Sequence, residues 1–538
     1  MQSSRTSGLS IATPLPHTLD MFDLLITGGQ VVDGSGSPWF RADLGIRGER
    51  IEAVGNLAAA AAKRRLDVTG RVVAPGFIDT HVHGDLALLA DPTHESAIHQ
   101  GITTYIIGQD GCGMAPASPT TIEYMRQYTA GFTGKFPQLE CRWRTLDEYL
   151  ASFHRRTSLN VAYLVPNGTV RMEAMGLETR PPNGEELKTM RRLVREAMDQ
   201  GAVGLSTGLD YIPSKYAARE EIAALAKEIT DGDGVYVSHV RAHGGPKWHE
   251  ALDELAFICQ TSGCLGHVSH FNVQAEKYLP RIDAMRRLGL DVTFDTYPYL
   301  AGMTILAMIV LPDSVQEGGV AATLKRLKDK RTRAEVADFI RGRTFASDLI
   351  RLAGIGSDRF AGLEGRTLTE ACRETGMDIG ELACELLFES QLAASAVVFD
   401  GKRTERDLIA CMRHAAQMGS SDGIFTGKMP HPRGYGAFAR FISEYVRKRN
   451  AWSLEEAVRH LTHHPARRYR LPDRGLLAKG MVADVIVFDP ETFEDRASYA
   501  NPKVLAAGMD HVLVAGQLTL ENGKHTGVTN GQALRRAT

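Results

Sequence analysis

The sequence predicts an α/β protein: a (β/α)8 barrel with a small β-sandwich domain built from both chain ends. Three observations support this. Short apolar segments alternate with amphipathic helical segments through the middle of the chain, which is typical of βαβ units. Histidines follow several of the apolar segments, where barrels of this class place their sites. Short strand-like segments separated by turns occur only near the two ends.

The two chain ends are expected to share one sandwich. Residues 1–20, rich in Ser, Thr and Pro, lack an apolar signal core and are interpreted as a disordered leader. Turn residues then separate strand-like segments that reappear only late in the chain. We therefore assign 21–73 plus 466–530 to the sandwich. Its predicted strands are residues 22–27, 42–46, 50–54, 67–73, 484–488 and 511–514.

Residues 74–465 are assigned to the barrel. Amphipathic stretches at 184–200 and 247–261 are predicted helices, and the charged segment 313–343 is predicted to be a helical insertion near the barrel mouth. About eight strand-helix repeats indicate a closed barrel. The predicted strands are residues 77–82, 103–107, 162–165, 204–206, 235–238, 265–269, 291–295 and 396–399, with a further strand before Asp422.

The stretch VVAPGFIDTHVHGD at 72–85 contains the first candidate metal ligands. Pro75 and Gly76 precede an apolar run that should form a short buried strand. Residues two apart on a strand point to the same side, so His81 and His83 can direct two imidazoles at one point. A satisfied polar pair would be the ordinary interpretation of an isolated His-X-His. Placement at the end of a buried strand favours a divalent metal instead.

Two histidines alone do not complete a zinc site, so later strand ends are searched for ligands. YVSHVRAHGG places His239 after a β-branched run, and LGHVSHFN places His270 after the next strand. MGSSDGIFTG places Asp422 at a further strand end, although Asp-Gly is also a common turn pair. His267 lies on the other face of its strand and is left structural. Together these residues predict a metal centre at one mouth of the barrel.

Composition excludes several classes of protein. The 538 residues carry a formal net charge of −2, with no block of like charges, so neither nucleic acid nor an anionic membrane is expected as a partner. Seven scattered cysteines without a CxxC argue against a disulfide framework and favour the cytoplasm. No apolar run reaches the length of a membrane span. A small-molecule substrate fits this composition, and self-association into a homo-oligomer is compatible with it.

These motifs resemble the amidohydrolase superfamily and, more specifically, its N-acyl-D-amino-acid deacylases, also called D-aminoacylases. The resemblance extends through most of the chain. It rests on VVAPGFIDTHVHGD together with GITTYIIGQDGCGMAP at 101–116, AVGLSTGLDYIPSKYA at 202–217, FDTYPYLAG at 294–302, SSDG at 420–423, HPRGYGAFAR at 431–440 and RGLLAKGMVADVIVFDP at 474–490. The family fold, a (β/α)8 barrel with a β-sandwich made from both chain ends, agrees with the fold predicted above.

The resemblance implies a centre of one or two Zn²⁺ ions. It makes His81 and His83 ligands of one metal, with Asp422 close by, and His239 and His270 ligands of a second. Where these deacylases have a bridging cysteine, this chain has Asp110, and Cys112 follows two residues later. We favour Asp110 as the bridge, with Cys112 as the alternative. An oxygen ligand should make the site more open to Mn²⁺ or similar ions.

The substrate pocket shows a second departure from the family. The lysine that helps to hold the substrate's α-carboxylate is replaced by Asn272, whereas Arg433 matches the carboxylate-binding arginine. Tyr297 matches the tyrosine expected to polarise the scissile carbonyl. Either Arg433 alone binds a D-amino-acid carboxylate, or the substrate's anion is placed differently or absent. The alternative is that neither residue binds substrate: Arg433 would then be a surface loop residue, and Tyr297 a packed core aromatic.

The implied reaction is hydrolysis of an N-acyl amide by metal-activated water, with Asp422 as general base and then general acid. Asn272 leaves room for a different amidohydrolase substrate, such as a small amide, a cyclic amide or a carbamate. A barrel that has lost catalysis and a zinc-storage protein are two further hypotheses. Both are disfavoured, because every ligand position is filled from separate strand ends around one cleft.

Overall fold

Eight parallel strands form the central sheet of the computed structural model, which describes residues 21–242, 247–343, 346–399, 401 and 403–537. Each strand pairs with its neighbour in the chain order. The first and eighth strands approach through a parallel bridge between Val82 and Gly423, and His83 N donates to Gly423 O at 3.0 Å. The strands are Phe77–Asp79, Ile102–Ile107, Asn160–Pro166, Gly204–Gly208, Val235–His239, Leu265–Val268, Val292–Thr296 and Gln417–Gly419.

Helices connect these strands and cover the outside of the barrel. The predicted helices at 184–200 and 247–261 are Gly184–Asp199 and Trp248–Ser262. The first begins with a capping box between Asn183 and Glu186, which satisfies the free backbone amides of its first turn. The other long helices of the barrel are Pro119–Tyr128, Leu146–Ala151, Asn167–Met175, Arg219–Ala226, Ala275–Arg287, Glu405–Met412, Arg433–Arg440, Phe441–Lys448, Leu454–Leu461 and His463–Arg468.

Two further sheets form the sandwich, and both chain ends contribute to one of them. Antiparallel pairing of Val485–Phe488 with Val72–Pro75 joins the C-terminal part of the chain to the N-terminal part. Buried residues such as Ile26, Leu44 and Leu513 form a hydrophobic cluster shared by the two sheets. The four-stranded sheet contains Phe22–Thr27, Asp43–Arg47, Arg50–Gly55 and Ala62–Asp67; the seven-stranded sheet contains Gln30–Val31, Phe40–Arg41, Val72–Pro75, Val485–Phe488, Met509–Val514, Gln517–Glu521 and Lys524–His525. The predicted fold class is thereby confirmed.

One predicted barrel strand lies elsewhere. The apolar run predicted at 396–399 is a strand, Ser395–Val398, but it pairs antiparallel with Gly302–Ile305 and Ile350–Gly354 in a separate three-stranded sheet. A short β-branched run reads the same in either sheet, so its pattern does not identify its neighbours. This sheet belongs to an insertion between the seventh and eighth barrel strands. Its longer helices are Leu306–Val310, Gly319–Arg326, Lys330–Arg341, Leu368–Thr375 and Ile379–Glu389.

The predicted strand at 67–73 was wrong in its start. The structure has two strands there, Ala62–Asp67 and Val72–Pro75, separated by a turn. The first is largely exposed and carries Lys63, Arg64 and Arg65, which is how an edge strand avoids pairing with other chains. Such a charged strand shows no apolar alternation, so the sequence pattern does not reveal it.

The domain boundaries at 73/74 and 465/466 stay a prediction, and the predicted leader at 1–20 lies outside the described residues. Within those residues, no helix is both long and apolar enough to cross a membrane.

Candidate active site

His81 and His83 lie just past the end of the first barrel strand. The regular strand stops at Asp79, earlier than predicted, and Val82 continues the pairing as a single bridge to Gly423. The two histidines flank Val82, and their ring centroids are 5.4 Å apart. Both side chains are buried, and among the described residues neither nitrogen of His81 has a hydrogen-bond partner. A buried imidazole with both nitrogens unpaired is costly unless something absent from the protein chain binds it.

Asp110 lies at the centre of four imidazoles. It follows the second strand in the segment GQDG and adopts a left-handed backbone, with φ of 57°. Its carboxylate oxygens lie 3.6 Å from His81 Nε2, 3.7 Å from His83 Nε2, 3.5 Å from His239 Nδ1 and 3.9 Å from His270 Nε2. Burial alone would raise the pKa of Asp110, but the imidazoles of His81, His239 and His83 outweigh it and lower that pKa. The carboxylate is therefore ionised.

His239 and His270 end the fifth strand and follow the sixth. His239 Nδ1 lies 3.1 Å from His270 Nε2, and His239 Nε2 lies 3.4 Å from Asp210 Oδ2. Burial would lower the pKa of His239, yet Asp110 and Asp210 raise it to about 10. These contacts place both histidines beside Asp110, within the same cluster as the pair from the first strand.

Asp422 completes the cluster from the end of the eighth strand. Its backbone N donates to His81 O at 2.8 Å, and its φ of 47° is left-handed. Asp422 Oδ1 lies 3.4 Å from His83 Nε2 and 3.8 Å from His81 Nε2, and Oδ2 lies 2.8 Å from Arg433 Nη1. Burial favours a higher pKa for Asp422, but Arg433 and the two histidines hold the pKa below its ordinary value.

The arrangement fits a metal centre. Ligand atoms of His81, Asp110 and His270 lie within 4.8 Å of one another, and so do those of His81, His83 and Asp422. Nitrogen and oxygen ligands of one tetrahedral zinc are roughly 3.4 Å apart, because each binds at about 2.0–2.2 Å. Cys112 is buried, and burial raises the pKa of its thiol well above the usual value. Cys112 is in neither group of candidate ligands, and its burial disfavours the thiolate that metals bind.

A cavity of about 1000 Å³ opens over this cluster. Asp110, His239, His270 and Asp422 line it on one side. Its wall also carries the three residues predicted to bind substrate: Asn272, Tyr297 and Arg433. Arg433 Cζ lies 4.5 Å from the centroid of the Tyr297 ring, and both side chains are buried. Arg433 is thus not a surface loop residue, and Tyr297 is not a core aromatic remote from the cavity.

Comparison with known proteins agrees with this geometry. Residues 64–344 and 407–520 match the Amidohydrolase family. The chain belongs to that family. It is 36% identical to N-acyl-D-glutamate deacylase of Alcaligenes xylosoxydans xylosoxydans over 92% of this chain and 93% of that protein. It is 34% identical to the D-aminoacylase of the same organism, over 96% of this chain and 98% of the relative.

A solved structure shows the same fold. The N-acyl-D-glutamate deacylase of Bordetella bronchiseptica, crystallised with zinc and a phosphonate inhibitor that mimics the tetrahedral intermediate, superposes with a TM-score of 0.81. It is 31% identical, and the alignment covers 96% of this chain and 100% of the other. The resemblance drawn from the motifs is confirmed by these matches.

Buried carboxylates behind the amidohydrolase site were missed by the sequence prediction. Asp295 is the last residue but one of the seventh strand and accepts from His270 N at 3.0 Å, His267 Nε2 at 3.0 Å and Ser420 Oγ at 2.6 Å. His267, which was predicted to be structural, thus contacts Asp295 and does not line the cavity. Asp295 also lies 3.8 Å from His81 Nδ1, which can orient that imidazole. The signal was available, because Asp295 is a carboxylate at a strand end like Asp422.

Asp79 ties the first strand to the eighth beneath the site. It accepts from Ser421 N at 2.9 Å, from Ser421 Oγ and from His81 N. Burial raises the pKa of Asp79 to about 8 despite these hydrogen bonds. At neutral pH, the folded protein therefore holds Asp79 mainly in its uncharged form.

This raised pKa predicts a pH-dependent stability difference between the wild type and Asp79→Asn. Between the ordinary pKa of 3.8 and about 8, the folded state binds one proton more than the unfolded state. The free energy of unfolding of the wild type should therefore fall, relative to the variant, by about 1.4 kcal/mol for each pH unit in that range. Thermal or urea unfolding of both proteins at pH 5.5, 7 and 9 measures it. Parallel pH profiles would show that Asp79 is ionised in the folded state.

Proposed function

We propose that this amidohydrolase cleaves the amide bond of N-acyl-D-amino acids, releasing a carboxylate and a free D-amino acid. One observation carries the proposal: Asp110 has four imidazoles from three strand ends within 3.9 Å, on the wall of a cavity large enough for a small molecule. A metal-ligand set around an open cavity is an arrangement for hydrolysis rather than storage. The two curated relatives are an N-acyl-D-glutamate deacylase and a D-aminoacylase, which supports this substrate class.

One or two Zn²⁺ ions are the proposed cofactor, held by His81, His83, Asp110, His239, His270 and Asp422. A bound zinc supplies Lewis acidity, which polarises an amide carbonyl and makes a water easier to deprotonate. Asp110 is the proposed bridging ligand, because it lies between the two histidine pairs. Its Oδ1 faces His81 and His270, and its Oδ2 faces His83 and His239. An all-nitrogen-and-oxygen site also accepts Mn²⁺ or similar ions.

Asp422 is the proposed proton carrier. Its Oδ2 contacts Arg433, whereas its Oδ1 faces His81 and His83. Because its pKa is held low, the carboxylate is ionised at neutral pH and can accept a proton from the attacking water at Oδ1. The same oxygen can then return that proton to the departing amine nitrogen. Because Arg433 contacts Oδ2, Oδ1 is the oxygen of Asp422 that is assigned to the proton transfer.

Tyr297, Arg433 and Asn272 are the proposed substrate contacts. All three line the cavity beside the metal ligands. The Tyr297 hydroxyl is assigned to the amide carbonyl, and Arg433 to a carboxylate of the substrate, where a guanidinium can form two hydrogen bonds. We also propose that the enzyme works in the cytoplasm, since all seven cysteines are free thiols.

A hydrolysis screen with the purified protein tests the function. N-acetyl-D-leucine and N-acetyl-D-glutamate should be hydrolysed with kcat/KM at least about 100-fold above their L enantiomers, since the α-carboxylate fixes the position of the amide. Zinc content is measured on the same sample. Preference for the L series, or no hydrolysis by zinc-loaded protein, would contradict the proposal.

A second candidate function is favoured by Asn272, which brings no charge to the cavity wall. An enzyme for a small amide, a cyclic amide or a carbamate would use the same metal ligands without a conventional α-carboxylate. This candidate would be supported if the protein hydrolysed dihydrouracil or an N-carbamoyl amine and hydrolysed none of the N-acetyl-D-amino acids.

A further inference from the structure

Arg403 is a buried guanidinium on the cavity wall to which the reaction described above gives no role. It comes from the segment between the three-stranded sheet and helix Glu405–Met412, and only 7% of the residue is exposed. It lines the same cavity as Asn272, Tyr297 and Arg433. An arginine remains charged at any physiological pH, so the cavity wall holds a positive charge at this point.

The partners of Arg403 among the described residues are all uncharged. Its Nη1 donates to Asn272 Oδ1, its Nη2 to the backbone carbonyl of Tyr299, and its Nε to the carbonyl of Leu300 at 3.3 Å. Among the described residues, no carboxylate lies within ion-pair distance of its guanidinium. These bonds orient the guanidinium, and no carboxylate of the described residues compensates its charge.

Other buried arginines of this protein have counter-charges. Arg171 pairs with Glu221 at 2.6 Å, Arg468 with Asp291 at 2.9 Å, and Arg474 with Asp484. Removing a guanidinium from water without a counter-charge is unfavourable, which is why buried arginines are usually paired. Arg403 departs from this rule, and it does so at the substrate cavity.

Tyr297 joins Arg403 to Arg433. The two guanidinium carbons lie 5.2 Å and 4.5 Å from the centroid of its ring. In the part of the chain that the structure describes, Asp422 is the single acidic partner of these two arginines, through Arg433. The Arg403 guanidinium is therefore left without a described carboxylate partner beside the cavity. A carboxylate placed there would receive hydrogen bonds from a planar guanidinium, the geometry that suits it best.

We propose that Arg403, together with Arg433, binds the carboxylate of the substrate's amino-acid half, with Asn272 holding the Arg403 guanidinium in place. This inference rests on the proposed function, because it assigns a partner to the anion that N-acyl-amino-acid substrates carry. Asn272 then serves as the support for a charge supplied from another part of the chain. The α-carboxylate is the assigned group, since Asn272 lies two residues from the metal ligand His270 and hence close to the scissile amide.

The test compares Arg403→Gln with the wild type on three substrates. N-acetyl-D-leucine carries the α-carboxylate, N-acetyl-D-glutamate carries a second one, and N-acetyl-D-leucinamide carries none. Loss of a charged hydrogen bond should raise KM for both acids by about 10- to 100-fold. The KM for the leucinamide should change less than about threefold, because that substrate never used the charge.

A matched control and a rescue variant sharpen the test. Arg440 lies 5.0 Å from the neighbouring Tyr299 ring but is paired with Asp495 at 3.2 Å and does not line the cavity. Arg440→Gln should leave all three KM values unchanged. In Arg403→Gln/Asn272→Lys, an ammonium is placed close to where the guanidinium lay. The KM of this double variant for N-acetyl-D-leucine should be at least about tenfold lower than that of Arg403→Gln.

The outcomes separate the inference from the function. A raised KM for both acids supports the α-carboxylate assignment. A raised KM for N-acetyl-D-glutamate alone overturns it in favour of the side-chain carboxylate. Equal effects on all three substrates would overturn it too, because Arg403 would then only position Tyr297 or Asn272. If the wild type hydrolyses the acids and Arg403→Gln matches it, the inference fails while the function stands; if the wild type hydrolyses none, the function fails first.

Discussion

Asp422→Asn is expected to lower kcat by about 10²–10⁴-fold while leaving the protein folded and its zinc bound. Transfer of a proton by a positioned carboxylate contributes an effect of this size. Asparagine keeps the shape of the side chain and an oxygen towards the histidines, but it cannot accept a proton at neutral pH. The KM should change little, because the cavity wall is intact. Steady-state kinetics and zinc analysis of the same preparation measure both effects.

Asp313→Asn is a suitable control for that experiment. Asp313 also lines the cavity, but it is largely exposed, is paired with Lys215 at 2.7 Å and belongs to neither group of candidate metal ligands. It should retain wild-type kcat. An Asp422→Asn enzyme with unchanged turnover would remove Asp422 from the reaction. Loss of zinc in this variant would instead make Asp422 chiefly a ligand.

Asp110→Ala is expected to have the second large effect. It removes a carboxylate that lies within 3.9 Å of all four histidines of the proposed metal site. The variant should lose at least one equivalent of zinc and at least about 100-fold in kcat/KM, since even groups that only support metal ligands contribute 10- to 100-fold. Metal analysis after dialysis against zinc-free buffer, followed by kinetics with added zinc, gives both quantities.

Two further variants decide which residue bridges. Asp110→Cys should keep more zinc than Asp110→Ala, because a thiolate is a good zinc ligand. Cys112→Ala should retain wild-type zinc content, because the buried Cys112 thiol is neutral and lies outside both ligand groups. Loss of zinc in Cys112→Ala, with retention in Asp110→Ala, would reverse the assignment.

Much of the site was predictable because strand ends are visible in the sequence. His81, His239 and Asp422 each follow a short apolar run, and parallel strands bring the ends of such runs to one face. The structure places these residues together. Asp295 follows the same rule, at the end of the strand predicted at 291–295, but it was assigned no role in the site.

The remaining features depend on contacts that no local pattern encodes. Ser395–Val398 has the composition of a barrel strand, yet its partners lie in the insertion. Arg403 contacts Asn272 across 131 positions of sequence, and the role proposed for it depends on its having no described carboxylate partner. Sequence spacing cannot show either fact. The exposed strand Ala62–Asp67 was not predicted because most of its side chains face solvent, so its sequence shows no apolar alternation.

The most direct measurement of the central claim is the position of the metal in a crystal of the zinc-loaded protein, located by anomalous scattering at the zinc absorption edge. We expect one or two peaks at about 2.0–2.3 Å from nitrogen or oxygen atoms of His81, His83, Asp110, His239, His270 or Asp422. Zinc bound at other residues, or these six side chains turned away from the peaks, would contradict the account.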